Sequence, residues 1–180
     1  MSTAHDRAEW KKIESAIECD DWKQARKLIG AWLRHSPMDH WLLTRMGLTY
    51  YEQRRYRQAL AYERRAFRLA PQCPLVMWDY AGTLDMLGRK KEALALFRRL
   101  LNRGEQRLAY GPCGEGVLWA RSLMADCLYR IAAILEDQHQ RKKALRAYKE
   151  HLSRRKGGTR SIYPLRDVER RYKALASQLT

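Results

Sequence analysis

From His40 the chain reads HWLLTRMGLTYYEQRRYRQALAYERRAFRLAP, and its apolar positions fall into two helical sets. Leu43, Met46, Gly47 and Tyr50 follow an i, i+3, i+4, i+7 spacing along one face. After the polar stretch 53–56, Ala59, Ala66 and Phe67 form a second inner face that closes at Pro71, which cannot continue a helix. The pattern predicts a helix hairpin. It also recurs: Pro37 and Pro71 are thirty-four residues apart, and Ala25, Ala59 and Ala93 keep the same step, each opening an apolar helical stretch. A fixed period of this length marks a solenoid, in which each unit buries its apolar face by stacking on its neighbours.

The next unit, from Pro74, repeats the arrangement with Met77, Tyr80, Ala81 and Leu84 on the first helix, Gly88 in the turn, and Ala93, Phe97, Leu100 and Leu101 on the second. The first unit is poorer. Trp10, Ile13 and Ile17 fit its first helix only with a hairpin turn one residue short, whereas Ala25, Trp32, Leu33 and Pro37 fit the second helix. An atypical end unit is what a solenoid cap looks like.

A fourth unit carries Leu128, Ile131, Ala132 and Leu135, then Ala144, Tyr148 and Leu152, but it starts fifty-one residues after the third, seventeen more than the period. The extra residues contain the breaker-rich YGPCGEG, followed by Val117, Ala120, Leu123, Met124 and Cys127 in helical period. The spacing predicts a loop near 104–115 and a first helix of the fourth unit lengthened by two or three turns at its N-terminus. Beyond Gly157 and Gly158, Leu165, Val168, Tyr172, Leu175 and Leu179 share one face of an end helix. Such a helix covers the apolar face of the last hairpin in repeat arrays, the alternative being a detachable partner-binding helix.

In order, the second unit holds Leu43, Met46-Gly47, Tyr50, Ala59, Ala66 and Pro71, a pattern that resembles the tetratricopeptide repeat family. Small Gly47 and Ala59 let the two helices approach, while Tyr50 and Phe67 fill the space around them. The resemblance covers roughly residues 8–155 and implies an all-α, right-handed α-solenoid of helix hairpins with a C-terminal capping helix. The expected layout is one domain over 1–180, with repeats at 6–39, 40–73, 74–107 and 125–156, an insertion over 108–124 and a C-terminal helix over 162–179.

The same resemblance implies a groove, lined by the first helix of each pair, that holds extended or helical segments of other proteins. Carried onto this chain, the groove positions are Trp41, Thr44, Leu48 and Tyr51 in the second repeat, Leu75, Trp78, Gly82 and Asp85 in the third, and Asp126, Tyr129, Ala133 and Glu136 in the fourth. Exposed aromatic clusters characterise interaction surfaces, so Trp41, Tyr51 and Trp78 are weighed as partner contacts against packing within the array. The family's clamp for acidic C-terminal tails needs Lys and Asn at these places, and this chain has neither.

Charge changes the picture. Thirty-six Lys and Arg against twenty Asp and Glu give a formal +16 over 180 residues, enough for a long-range field that recruits anionic partners. Residues 1–21 hold six acids and three bases, while 141–180 hold thirteen bases and three acids, so such partners should approach the C-terminal half. Arg64, Arg98 and Lys149 recur in register on second helices, with Arg65 and Arg99 beside the first two. The turns carry Arg55 and Arg57, then Arg89, Lys90 and Lys91, then Arg141, Lys142 and Lys143, and the densest run is Arg154, Arg155 and Lys156. These residues read either as solvated surface, as a phosphate-contacting track on RNA or DNA, or as a face for an acidic protein surface.

Catalysis and cofactors find no motif. No Ser or Cys is placed with a His and an acid at triad spacing, and GPCGEG lacks the Gly-Lys-Ser/Thr ending of a nucleotide loop. Cys19, Cys73, Cys113 and Cys127 show neither a CxxC pair nor zinc-type spacing to His, which favours reduced thiols and a cytoplasmic setting. The N-terminus lacks the apolar core of a secretion signal, and no apolar stretch approaches a membrane span. The expected role is a non-enzymatic adaptor that binds a partner segment in its groove, without cofactor or membrane. The alternative is a nucleic-acid-associated subunit of a larger assembly.

Overall fold

A computed structural model describes residues 4–178, with side chains from Trp10 onward. Among these residues there are nine α-helices and no strand. They are α1 (Ala4–Glu18), α2 (Trp22–His35), α3 (His40–Tyr51), α4 (Tyr56–Leu69), α5 (Pro74–Met86), α6 (Lys90–Tyr110), α7 (Val117–Asp137), α8 (Arg141–Lys156) and α9 (Leu165–Ala176). The chain read as one domain divides into two compact units, Met1–Leu87 and Gly88–Thr180. Each buries a core of its own.

In the first unit α1 packs on α2, α2 on α3, α3 on α4, and α5 on both α3 and α4. Asp21 and Asp39 cap α2 and α3 by accepting from the backbone N–H of Gln24 and Leu42, both at 3.0 Å, and Pro74 occupies the first turn of α5. Ile13, Ile29, Leu42 and Met46 form one buried cluster, with Leu43, Ala66, Cys73 and Val76 forming another. Gly47 and Ala59 sit where close approach was expected. A Cβ on Gly47 would lie 2.6 Å from the Glu63 Cγ, so glycine is required for α4 to come this near.

In the second unit α6 packs on α7, α7 on α8 and α8 on α9. Phe97, Leu100, Leu108, Ile134 and Tyr148 are fully buried there, and Val168 and Leu175 bring the apolar face of α9 into the same core. Leu179, read onto that face, lies outside the described residues. The loop expected near 104–115 is shorter. Gly104 takes a positive φ of 74° inside α6 and breaks the axis, yet the chain returns to helix because Leu108 and Ala109 are buried. Only residues 111–116 then connect α6 to α7, which starts at Val117.

Left-handed residues mark the four hairpin corners. Asp20, Arg54 and Gly88 have φ of 57°, 58° and 78°, each thirty-four residues after the last, and His139 follows at 58°. The corner of the first repeat therefore keeps its full length, rather than losing a residue. In this register Trp10, Thr44 and Trp78 occupy equivalent positions, which the shortened-turn reading had hidden.

Candidate partner-binding surfaces

The first helices of the hairpins in Met1–Leu87 carry a surface of half-buried aromatics. Trp41 stacks on Trp10 with ring centroids 4.6 Å apart and planes 10° from parallel, and it rests against the Ile13 cluster. The Arg45 guanidinium lies 5.4 Å over the Trp41 ring and pairs with Glu14 at 2.7 Å. Tyr51 meets Tyr56 edge-on at 5.4 Å. Leu48, Leu75 and Trp78 are also half-buried, Leu75 against the Leu43 cluster. These five expected groove residues, Trp41, Leu48, Tyr51, Leu75 and Trp78, keep partial exposure.

Thr44 and Asp85 do not. Thr44 is 1% exposed, with its hydroxyl donating to the His40 carbonyl at 2.7 Å, and Asp85 is 7% exposed. Both were expected on the groove surface. The direct packing of α5 on α3 removes Thr44 from it, because a position facing the next hairpin's first helix becomes contact rather than groove.

Beneath this surface lies a set of acids that sequence reasoning passed over. Glu63 on α4 is 1% exposed, and no hydrogen bond of good geometry reaches either of its carboxyl oxygens, the Oδ2 of Asp79 or the hydroxyl of Thr83 among the described residues. Burial, reinforced by Asp79, pushes the Glu63 carboxyl up to about 9, with Thr83 acting weakly the other way. Burial likewise raises Asp79 to about 7, Arg45 opposing and Glu52 adding to the rise. At neutral pH Glu63 is therefore a neutral acid inside the hairpin. Its only sequence signal was an acidic residue on the otherwise apolar inner face of a charged helix, four places after Ala59.

The corresponding face of α7, in Gly88–Thr180, is occupied by the chain itself. Tyr163 stacks on Tyr129 at 3.7 Å, and Arg171 donates to the Tyr129 hydroxyl at 3.0 Å while pairing with Glu136 at 2.9 Å. Asp126 accepts from the Ser161 hydroxyl and from the Ile162 backbone N–H. Burial raises Asp126 to about 6 against the pull of Ser161, Ile162 and Arg155. Arg155 donates to the carbonyls of Ser161 and Tyr163, which holds the segment before α9 in place. Tyr129, expected to await a partner, is thus packed intramolecularly, because the chain turns back at Gly157 and Gly158 and lays its end across α7.

Deeper in this unit the fully buried Tyr148 donates to Glu136 at 2.8 Å, and burial raises its hydroxyl. His151, also fully buried, donates through Nδ1 to the Ala125 carbonyl at 2.8 Å, leaving Nε2 without a hydrogen-bond partner among the described residues. Burial holds its ring below the ordinary imidazole range.

The expected basic residues are mostly exposed: Arg64, Arg65, Arg89, Lys91, Arg98, Arg99, Arg141, Lys142 and Lys156 lie at the surface, with Lys90, Arg154 and Arg155 half-buried. Several are already paired, Arg89 with Glu92, Lys90 with Asp137 and Arg154 with Glu150. The cations are concentrated in one unit. Residues 88–180 hold twenty-two Lys and Arg against nine Asp and Glu, a net +13 of the total +16. No helix of the described residues is long and apolar enough to cross a membrane.

Compared with known proteins, residues 50–111 match the tetratricopeptide repeat family model. No curated protein matches the chain in sequence. Among solved structures, MamA 41-end from Desulfovibrio magneticus RS-1 aligns with a TM-score of 0.66 at 14% identity, covering 86% of this chain and 77% of that one. A second structure of MamA covers 92% of both chains at 16% identity and a TM-score of 0.61. YrrB, a TPR protein with an unusual peptide-binding site, covers 86% of this chain and 93% of its own at 16% identity and a TM-score of 0.50. At these identities the likeness concerns the fold, which is all-α and of the tetratricopeptide type.

Proposed function

From the premise that this chain is a tetratricopeptide repeat protein, its family sequence lying at residues 50–111, we propose that it is a non-enzymatic adaptor. It holds a segment of a partner protein on the surface of α3 and α5, around Trp41, Leu48, Tyr51, Leu75 and Trp78. The fold is in general a protein-interaction scaffold, and YrrB, whose structure it shares at low identity, has a peptide-binding site. The observation that carries the reading is the partial exposure of these five large apolar side chains on consecutive first helices. Large apolar side chains left half in water gain about 1 kcal/mol each on full burial, which a docked segment provides. The Arg45 and Glu14 pair beside Trp41 gives that surface a polar rim.

The test is affinity capture from the native cell, with and without nuclease, using Leu48→Glu and Trp78→Ala variants whose helicity is checked by circular dichroism. The expected result is a partner that survives nuclease and is lost with both variants. Retention by both folded variants would remove the proposal.

A second reading, in which the protein contacts an RNA or DNA backbone within a larger assembly, has the +13 charge of residues 88–180 in its favour. Binding would then weaken linearly with the logarithm of salt concentration in a filter assay, and absence of retention at low salt would remove it.

A further inference from the structure

The outer surface of α8 orders part of this positive charge into a stripe. Lys142, Arg146, Lys149, Ser153 and Lys156 follow one another at steps of four, three, four and three residues, and all five are exposed. At about 1.5 Å per residue the four cations extend over roughly 21 Å along one helix face. The stripe does not run over open helix surface alone. At its C-terminal end α9 packs alongside α8 and leaves a groove of about 430 Å³ between them.

That groove has two kinds of wall. Its apolar part comes from Leu152 on α8 and from Leu165 and Tyr172 on α9, and Leu165 remains 38% exposed. Its rim carries Lys149 and Lys156 on one side and Lys173 on the other, with Glu169 as the acid in the lining. Phosphate neutralisation uses only the surface cations and leaves the aliphatic floor of Leu152 and Leu165 without a role. Bare apolar association requires the floor without three ammonium groups around it. Both present together fit an acidic segment that places apolar anchors between carboxylates.

We infer that the groove between α8 and α9 is a second docking site, for an acidic, amphipathic helix or strand of a partner protein whose apolar side chains seat on Leu152, Leu165 and Tyr172. Its carboxylates face Lys149, Lys156 and Lys173 and continue along the stripe to Arg146 and Lys142. The charge complementarity speeds encounter and fixes direction, while the apolar seats set the lifetime of the complex. The site is independent of the α3 and α5 surface, so either can fail without the other.

The probe is a fluorescein-labelled synthetic peptide of roughly sixteen residues, long enough as a helix to cover the stripe. It has leucines at i and i+4 steps and glutamates elsewhere, and is titrated by anisotropy into the full-length protein. A scrambled peptide of the same composition and a single-stranded oligonucleotide serve as comparisons. Leu165→Ser, at a partly exposed position, should weaken the patterned peptide about tenfold. Lys149→Glu combined with Lys173→Glu touches no buried side chain and should weaken it by a similar factor, whereas Trp78→Ala should leave it unchanged.

Equal binding of the scrambled peptide would overturn the inference in favour of unspecific charge attraction. Tighter binding of the oligonucleotide, indifferent to Leu165→Ser, would overturn it in favour of a phosphate track. A dimer in sedimentation that Leu165→Ser dissociates would overturn it in favour of a second copy as occupant.

Discussion

The first helices of the second and fourth hairpins start from the same repeat and end in opposite conditions. On α3, Trp41, Leu48 and Tyr51 stay partly open above an interior that shelters the protonated Glu63 carboxyl. On α7, the matching surface is shut by Tyr163 and Arg171 from the chain's own end, above an interior closed by Tyr148 and His151. A tetratricopeptide face is thus not intrinsically a binding site. It can serve as one only where nothing in the same chain fills it, and the covalent tether at Gly157 and Gly158 gives the C-terminal segment an advantage that no free peptide has.

Removing residues 159–180 should break the contrast most sharply. It strips Val168 and Leu175 from the core and the Tyr163 ring and Arg171 guanidinium from α7, an expected loss of about 5 kcal/mol. Urea unfolding measures it, and hydrogen exchange should show the gain in exchange rate on α7 and α8 while α1–α5 keep their protection.

Glu63→Gln should act on the other unit and in the opposite direction. The folded carboxyl lies near 9 against 4.5 in the unfolded chain, so the stability that goes with the protonated form is complete below pH 4.5 and is lost as pH rises toward 9. At pH 7 the amide, which needs no proton, should stabilise the protein by about 2–3 kcal/mol. The gain should vanish near pH 4.5, and thermal melts across that window would refute the placement if both proteins ran parallel.

The smallest expected effect belongs to His151. Its ring is held below the unfolded value of 6.5, so the second unit keeps full stability above that pH and loses it as pH falls further, by at most about 1.4 kcal/mol per pH unit. His151→Asn should flatten this acid limb without touching the alkaline limb set by Glu63.

Much of this arrangement was legible in the residues, and the exceptions have physical reasons. Periodic alanines, glycines and tyrosines announced the hairpins because helix packing imposes size at fixed spacings. The partial exposure of Trp41 and Trp78 could be anticipated from their position off the packing face. The burial of Thr44 could not, since it depends on how near α5 comes to α3. Tyr129 looked open because a linear pattern does not reveal where a chain returns after two glycines. Glu63 was missed for a similar reason: an acid on a charged helix reads as surface until Gly47 is seen to admit the helix so closely. Gly104 looked like the start of a loop, yet buried Leu108 pulled the following turn back into helix.

The corners at Asp20, Arg54, Gly88 and His139 share one left-handed backbone shape, although only one of the four is the residue that adopts it without penalty. An acid, a guanidinium and an imidazole hold the shape at a cost of roughly 1–2 kcal/mol that the glycine is spared, so local chemistry does not dictate the bend. Docking of the flanking helices imposes it. A corner side chain is therefore a tolerated passenger at these bends, and exchanging Asp20, Arg54 or His139 for glycine should relieve strain while leaving the hairpins docked as they are.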